Sequence, residues 1–133
     1  MSTMLLEIVT PERKVYEKEI DMLLVKGVEG ELGILPNHIP MVTPLKIAPI
    51  RAKLNGKEEV IAVNGGFMEV RKDKVVVLAE SAELPTEIDV ERAEAAKARA
   101  EQRLNNKQSE TDFRRAEIAL QKAMNRINVA GGK

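Results

Sequence analysis

The sequence predicts an α+β chain: an N-terminal β-sandwich over residues 1–84, followed by a C-terminal antiparallel α-helical hairpin over residues 85–133. Three observations carry this. Up to residue 84, apolar residues alternate or run over strand lengths between Gly, Asn and Pro breaks roughly ten residues apart. Beyond residue 89, alanine and larger apolar residues recur at helical spacing almost to the end. Between the two lies the stretch 79–100, AESAELPTEIDVERAEAAKARA, where Pro85 cannot continue a strand ladder and biases Leu84 toward extended geometry.

Composition narrows the function. The 133 residues suffice for one domain, or for a small domain with an appendage. Aromatics make up only 2% (Tyr16, Phe67 and Phe113), so the core is expected to be aliphatic. Lys plus Arg and Asp plus Glu both number 21, a net charge of zero, which argues against a general nucleic-acid binder. With no cysteine there are no disulfides and no thiol chemistry. The start, MSTMLLEIVTPE, does not read as a signal peptide, and no apolar run approaches bilayer length. Membrane association is therefore expected only through a partner.

In the first half the clearest strands are 4–9, 22–28, 60–63, 67–70 and 75–79. Asn55-Gly56 marks a two-residue hairpin. Asn64-Gly65-Gly66 reads as a turn or bulge, and residues 71–74 as another turn. About eight to ten short strands in two packed sheets are expected. The run 30–40, GELGILPNHIP, stands apart: its glycines and prolines fix its shape, yet Leu32, Ile34, Leu35 and Ile39 look exposed. It reads either as an interface or as a loop covering the core. His38 reads as a packing or hydrogen-bonding residue, with no cysteine or second histidine to share a metal.

In the second half, helix one is expected from about residue 89 to 104, stopped by Asn105-Asn106, and helix two from a cap at Ser109 or Thr111 to about residue 128. The chain is expected to fold back near Lys107 and to lose order at Gly131-Gly132. Helix two carries a stripe at Phe113, Ala116, Leu120, Ala123, Met124 and Ile127; helix one offers mainly Ala93, Ala95, Ala96, Ala98 and Ala100. A buried methyl contributes roughly 0.8 kcal/mol against about 1.5–3 for a larger aliphatic side chain, so the helices form readily and hold each other weakly.

The seam itself carries the chemistry. Glu83 and the run Ile88-Asp89-Val90-Glu91-Arg92-Ala93 sit where a polar ligand can touch both halves. Thr86 or Asp89 can cap helix one, and the Asp89 carboxylate can alternatively face a ligand amine. Arg92, Arg99 and Arg103 line one helix; Arg115, Lys122 and Arg126 line the other. In an antiparallel hairpin Arg92, Arg99, Lys122 and Arg126 converge, and like charges repel unless an anion such as a triphosphate lies among them. Interleaved Glu91, Glu94, Glu101 and Glu117 offer the plainer reading of a salt-bridged helix surface. No G-x-x-x-x-G-K-[ST] loop is present and residues 27–33 lack its lysine, so the isolated chain is expected not to hydrolyse ATP.

GELGILPNHIPMVTPL, then NGGFMEVRKDKVVVLAE, then IDVERA, together resemble the epsilon subunit of bacterial rotary ATP synthases, in order and over the whole length. The resemblance implies a β-sandwich that binds the gamma subunit and the ring of c subunits, with Glu31 and His38 in the contacting region, and a helical hairpin that meets the alpha and beta subunits of the catalytic head. It implies a peripheral place on the cytoplasmic face of the bacterial membrane, through the complex. IDVERA looks like the motif of nucleotide-binding epsilon subunits. By that likeness ATP, with or without magnesium, is a regulatory ligand. Glu83, Ile88, Asp89 and Ala93 would surround the adenine, and Arg92, Arg99, Lys122 and Arg126 would hold the phosphates. Lys122 departs from the arginine of close relatives and keeps the charge without the fork. A purely structural adaptor that binds no nucleotide is the alternative.

Overall fold

A computed structural model describes residues 2–106 and 109–131. The described strands are β1 (Met4–Val9), β2 (Lys14–Ile20), β3 (Met22–Gly27), β4 (Gly30–Ile34), β5 (Met41–Leu54), β6 (Lys57–Val70), β7 (Lys74–Ala79) and β8 (Ala82–Glu83). A 3-10 turn, Pro85–Glu87, leads into α1 (Val90–Asn105) and α2 (Glu110–Ala130). The expected α+β fold, strands first and two helices after, is the fold observed. The fold-back at Lys107 and the expected end at Gly132 lie outside the described residues.

The strands were expected in two separate sheets; they form one hydrogen-bonded sheet in the order β2-β1-β7-β6-β5-β3-β4, with β8 beside β6. The sheet wraps on itself, since one core takes Val15 and Ile20 from one edge strand and Ile34 from the other. The core is aliphatic as composition implies, with Leu6, Ile8, Leu23, Ile61 and Met68 fully buried. Tyr16 is the one aromatic residue in this core.

The difference from the expected short strands comes from β5 and β6, each 14 residues long. Asn55-Gly56 makes the expected tight hairpin, with φ of 52° and 81°, and joins them. Asn64-Gly65-Gly66, expected as a turn or bulge, lies within β6, so the segments 60–63 and 67–70 are one strand. The glycines bend it instead of ending it: Gly65 and Gly66 have φ of 84° and 141°. Pro44 and Pro49 obscure β5 in the sequence. Pro49 is tolerated because β3 pairs with β5 at Leu24↔Arg51 and next at Gly27↔Leu45, leaving that part of the ladder open. The strand β2 is not legible in the sequence because pairing with β1 shifts between Ile8 and Val9, burying the neighbours Val15 and Tyr16 together and breaking alternation.

The run 30–40 divides. Gly30–Ile34 is β4, paired with β3, and Ile34 is fully buried while Leu32 packs partly on the core. Leu35 and Ile39 are exposed, as expected. His38 is half-buried and its Nδ1 lies 2.7 Å from the Ile39 carbonyl oxygen. Glu58 and Glu59 face opposite sides of β6, as the period of a strand requires. Glu58 meets Arg51 at 2.9 Å, while Glu59 accepts from Lys18 at 2.9 Å and Tyr16 at 3.0 Å. The Lys18 ammonium, with help from Tyr16, holds the Glu59 carboxyl below its ordinary range; burial and then Glu59 push the Tyr16 phenol up.

Candidate functional site

The seam is built by three local interactions. The Leu84 N–H donates to Glu87 Oε1 at 2.9 Å, closing the 3-10 turn opened by Pro85. The other Glu87 oxygen accepts from Arg13 Nη2 at 2.7 Å, tying the turn to the link between β1 and β2. Asp89 then caps α1: its Oδ1 accepts from the Arg92 N–H at 3.1 Å. Thr86, the other candidate cap, lies inside the 3-10 turn. Ser109 is the cap of α2, accepting from the Asp112 N–H at 3.1 Å.

The helices dock unequally. α2 lies on β5 and β6, and α1 packs on α2. The alanine seam is present at Ala93, Ala100, Ala116 and Ala123, all buried, whereas Ala95 and Ala98 are exposed. The stripe expected on helix two is only partly inward. Met124 is exposed, and the residues that meet the sandwich are Asn125 and Val129, outside that stripe. A 21-residue helix touching both a partner helix and a sheet buries two faces, and a single-stripe reading finds one. Val129 packs with Ala62 and Ile88. Arg126 donates from Nε to Glu83 Oε1, and Lys122 Nζ lies 3.8 Å from Glu80 Oε2.

Between α1, α2 and the 3-10 turn is a cavity of about 430 Å³, lined by Glu83, Glu87, Asp89, Arg92, Ala93, Ala96, Arg99 and Arg126. Six of the eight residues singled out from the sequence meet there. The other two do not line it. Ile88 turns inward to Ala62 and Val129, so it supports the wall from behind; Lys122 reaches Glu80 one helical turn away from Arg126. Sequence reasoning missed Glu87 and Ala96. Ala96 follows Ala93 by three positions and so shares its face, and Glu87 stands three after Leu84, the spacing of a capping side chain.

The charges are unevenly satisfied. Arg126 is paired with Glu83 and Glu87 with Arg13, while Arg92 and Arg99 are exposed and, among the described residues, make no ion pair. Glu91, Glu94, Glu101 and Glu117 also make none among the described residues, so the ion pairs of the helix cations run from Arg126 to Glu83 and from Lys122 to Glu80 and do not involve the interleaved acids. The cavity opens at the first turn of α1, where the helix dipole favours an anion. The groups present thus suit a ligand with an anionic end for the arginines and a donor for the carboxylates.

Two family models match the chain. That of the ATP synthase Delta/Epsilon chain beta-sandwich domain covers residues 3–85, and that of the ATP synthase Delta/Epsilon chain long alpha-helix domain covers residues 86–131. The ATP synthase epsilon chain of Brevibacillus brevis is 60% identical over 131 residues, 98% of this chain and 99% of that one. That of Halalkalibacterium halodurans is 56% identical over 132 residues, again 98% and 99%. Among solved structures, a chain of the Euglena gracilis mitochondrial ATP synthase (OSCP/F1/c-ring) superposes with a TM-score of 0.79 at 22% identity, covering 93% of this chain and 79% of that one. A chain of the Tetrahymena thermophila mitochondrial ATP synthase central stalk and c-ring gives 0.63 at 13% identity, covering 96% of each. With both halves matched and full-length relatives above half identity, the chain belongs to the ATP synthase delta/epsilon chain family, as an epsilon-type subunit that is not the catalytic one.

Proposed function

We propose that this chain couples the rotor of an ATP synthase to its catalytic head, and that ATP in the cavity at the seam regulates it by holding the hairpin on the sandwich. The observation that carries the reading is the meeting of Glu83, Asp89, Arg92, Ala93, Arg99 and Arg126 on one cavity, with two arginines lacking an acidic partner among the described residues. The volume lies in the range of small-ligand pockets. Arg92, Arg99 and Arg126 would hold the phosphates as charge-assisted donors. The Asp89 Oδ2 is left over from capping to accept from the exocyclic amine. Arg126 would exchange its bond to Glu83 for one to the ligand or share it between them. Lys122 belongs to this proposal only through a change of rotamer away from Glu80.

A ligand that touches both helices and the turn beneath them binds the docked hairpin better than an undocked one. Moving the hairpin from mostly open to mostly docked takes roughly 5 kcal/mol of such differential binding. When ATP is scarce the hairpin would extend along the gamma subunit and obstruct hydrolysis by the alpha and beta subunits. The sandwich would dock on gamma and the c ring. Its exposed Val42 and Ile39, and the cross-strand pair Phe67 and Leu78, supply an apolar face for this, stiffened by Pro36, Pro40 and Pro44. Assembled so, the chain sits on the membrane complex from outside the bilayer; no described helix is long and apolar enough to cross one.

Calorimetric titration of ATP into the wild type and into an Asp89→Ala, Arg92→Ala double variant tests the site. Loss of a charged hydrogen bond costs about 1.5–3 kcal/mol, so the double variant is expected to bind at least tenfold more weakly. Equal affinities contradict the proposal. The adaptor reading keeps one specific observation in its favour: α2 is already tied to the sandwich by Arg126–Glu83 and by Asn125, without any ligand. On that reading neither protein binds ATP.

A further inference from the structure

We propose that Asn125 is the register pin of the hairpin: it selects one axial position of α2 on the sandwich, and does so with a contact that leaves the docked state easy to release.

The clustered apolar contacts select a position only weakly. The buried apolar cluster that joins α2 to the sandwich is small: Val129 against Ala62 and Ile88, with Val60 and Ala130 at the margin. Within the hairpin the buried residues of α1 are alanines, as are two of those on α2. The buried alanines recur seven apart, at 93 and 100 and at 116 and 123, so a methyl meets a methyl again after a slide of two turns and the seam alone selects its register weakly. Asn125 is different in kind. It is 5% exposed, and its Nδ2 donates to the Val63 carbonyl at 3.1 Å and to Asn64 Oδ1 at 3.2 Å. Asn64 is fully buried and passes the chain on, donating from Nδ2 to Ser81 Oγ at 2.9 Å. Three polar side chains thus run from α2 through β6 to the link between β7 and β8. Any axial slip leaves the Val63 carbonyl, Asn64 Oδ1 and the Asn125 amide buried together without their partners. A buried asparagine used in this way specifies register at some cost in stability.

The cost is visible. Both Nδ2 protons are used, while the buried Asn125 Oδ1 has no hydrogen-bond partner among the described residues. Water satisfies that carbonyl when the hairpin is open, so it opposes docking. The next residue is Arg126, which reaches Glu83 in the pinned register. The pin therefore decides whether an arginine faces the cavity. It stands whether or not the cavity takes a nucleotide.

The chain has no cysteine, so spin labels can be placed cleanly at Lys57→Cys, where β6 begins, and at Glu117→Cys, an exposed site on α2. The distance between them is measured by pulsed electron resonance in the full-length protein without nucleotide. A single narrow distance is expected in the parent. Asn125→Leu and Asn64→Ala are each expected to add a second population displaced by one or two helical turns, roughly 5 or 10 Å. Asn128→Leu, an exposed neighbour, is expected to change nothing. An unchanged single distance in both Asn125→Leu and Asn64→Ala overturns the proposal. So does loss of the sheet's circular-dichroism signal in Asn125→Leu, which would assign the residue to holding the sandwich together.

Discussion

Gly66→Ala is expected to be the most damaging single-methyl change in the sandwich, costing at least about 3 kcal/mol. Gly66 has φ of 141°, a conformation that L side chains rarely adopt. A Cβ there would come within 2.2 Å of the Leu78 carbonyl oxygen and 2.9 Å of Ala79 Cα. Both are backbone atoms of β7, held in register by Gly66↔Ala79 and Phe67↔Leu78, so they cannot yield without opening the ladder. Gly56→Ala is the control. Its φ of 81° is also left-handed, but beyond its chain neighbours no atom of the described residues lies within 4 Å of the added methyl, so only the backbone penalty of about 1–2 kcal/mol is expected. Denaturant titration of the two variants measures the difference. Similar losses would mean that the β6 bend relaxes freely.

Arg126→Glu is expected to release the hairpin. The pair it reverses joins α2 to β8, with side chains 29% and 27% exposed, so it is neither a free surface pair nor a fully desolvated one. Turning its attraction into repulsion changes docking by about 2 kcal/mol or more, roughly a thirtyfold shift toward the open form. Hydrogen exchange at the amides of α2 is expected to accelerate by that factor while β1 and β7 stay protected. The swapped pair, Glu83→Arg with Arg126→Glu, is expected to restore docking but not ATP binding, since it moves the cation off α2. Unchanged exchange in Arg126→Glu would show that the pair contributes nothing to docking.

How far the fold was legible in the sequence depends on what each element buries. β1 alternates cleanly, with Met4, Leu6 and Ile8 inward, and its bounds are those read from the pattern. α1 and α2 were legible from spacing and from their caps at Asp89 and Ser109. β5 and β2 were not. In β5 the prolines look like terminators, and only the gap in the ladder beside Pro49 makes it harmless. In β2 a bulge destroys the period on which the reading depends. Gly65 and Gly66 looked like a turn because glycine permits both a reversal and a bend; the pairing of β6 with β7 and β8 on either side of them decides between these.

The candidate site follows the same logic. Arg92, Ala93 and Arg99 share a helix face by spacing alone, and Asp89 stands at its start. Their meeting with Glu83 and Arg126 depends on the register of α2, which is set by Asn125, a residue whose importance no periodicity announces. Arg13 and Glu87 are 74 positions apart and their pairing is a product of the fold alone. Ile88 was legible as a member of the seam but not as a buried one, because its burial comes from Val129 at the far end of the chain.

The claim that ATP holds the hairpin down is tested most directly by hydrogen exchange on the full-length wild-type chain with and without saturating ATP. The account predicts that amides of α1 and α2 exchange more slowly with ATP, while those of β1 and β7 are unaffected. Binding of ATP with no change in exchange along either helix would contradict it, and leave the hairpin a fixed clamp.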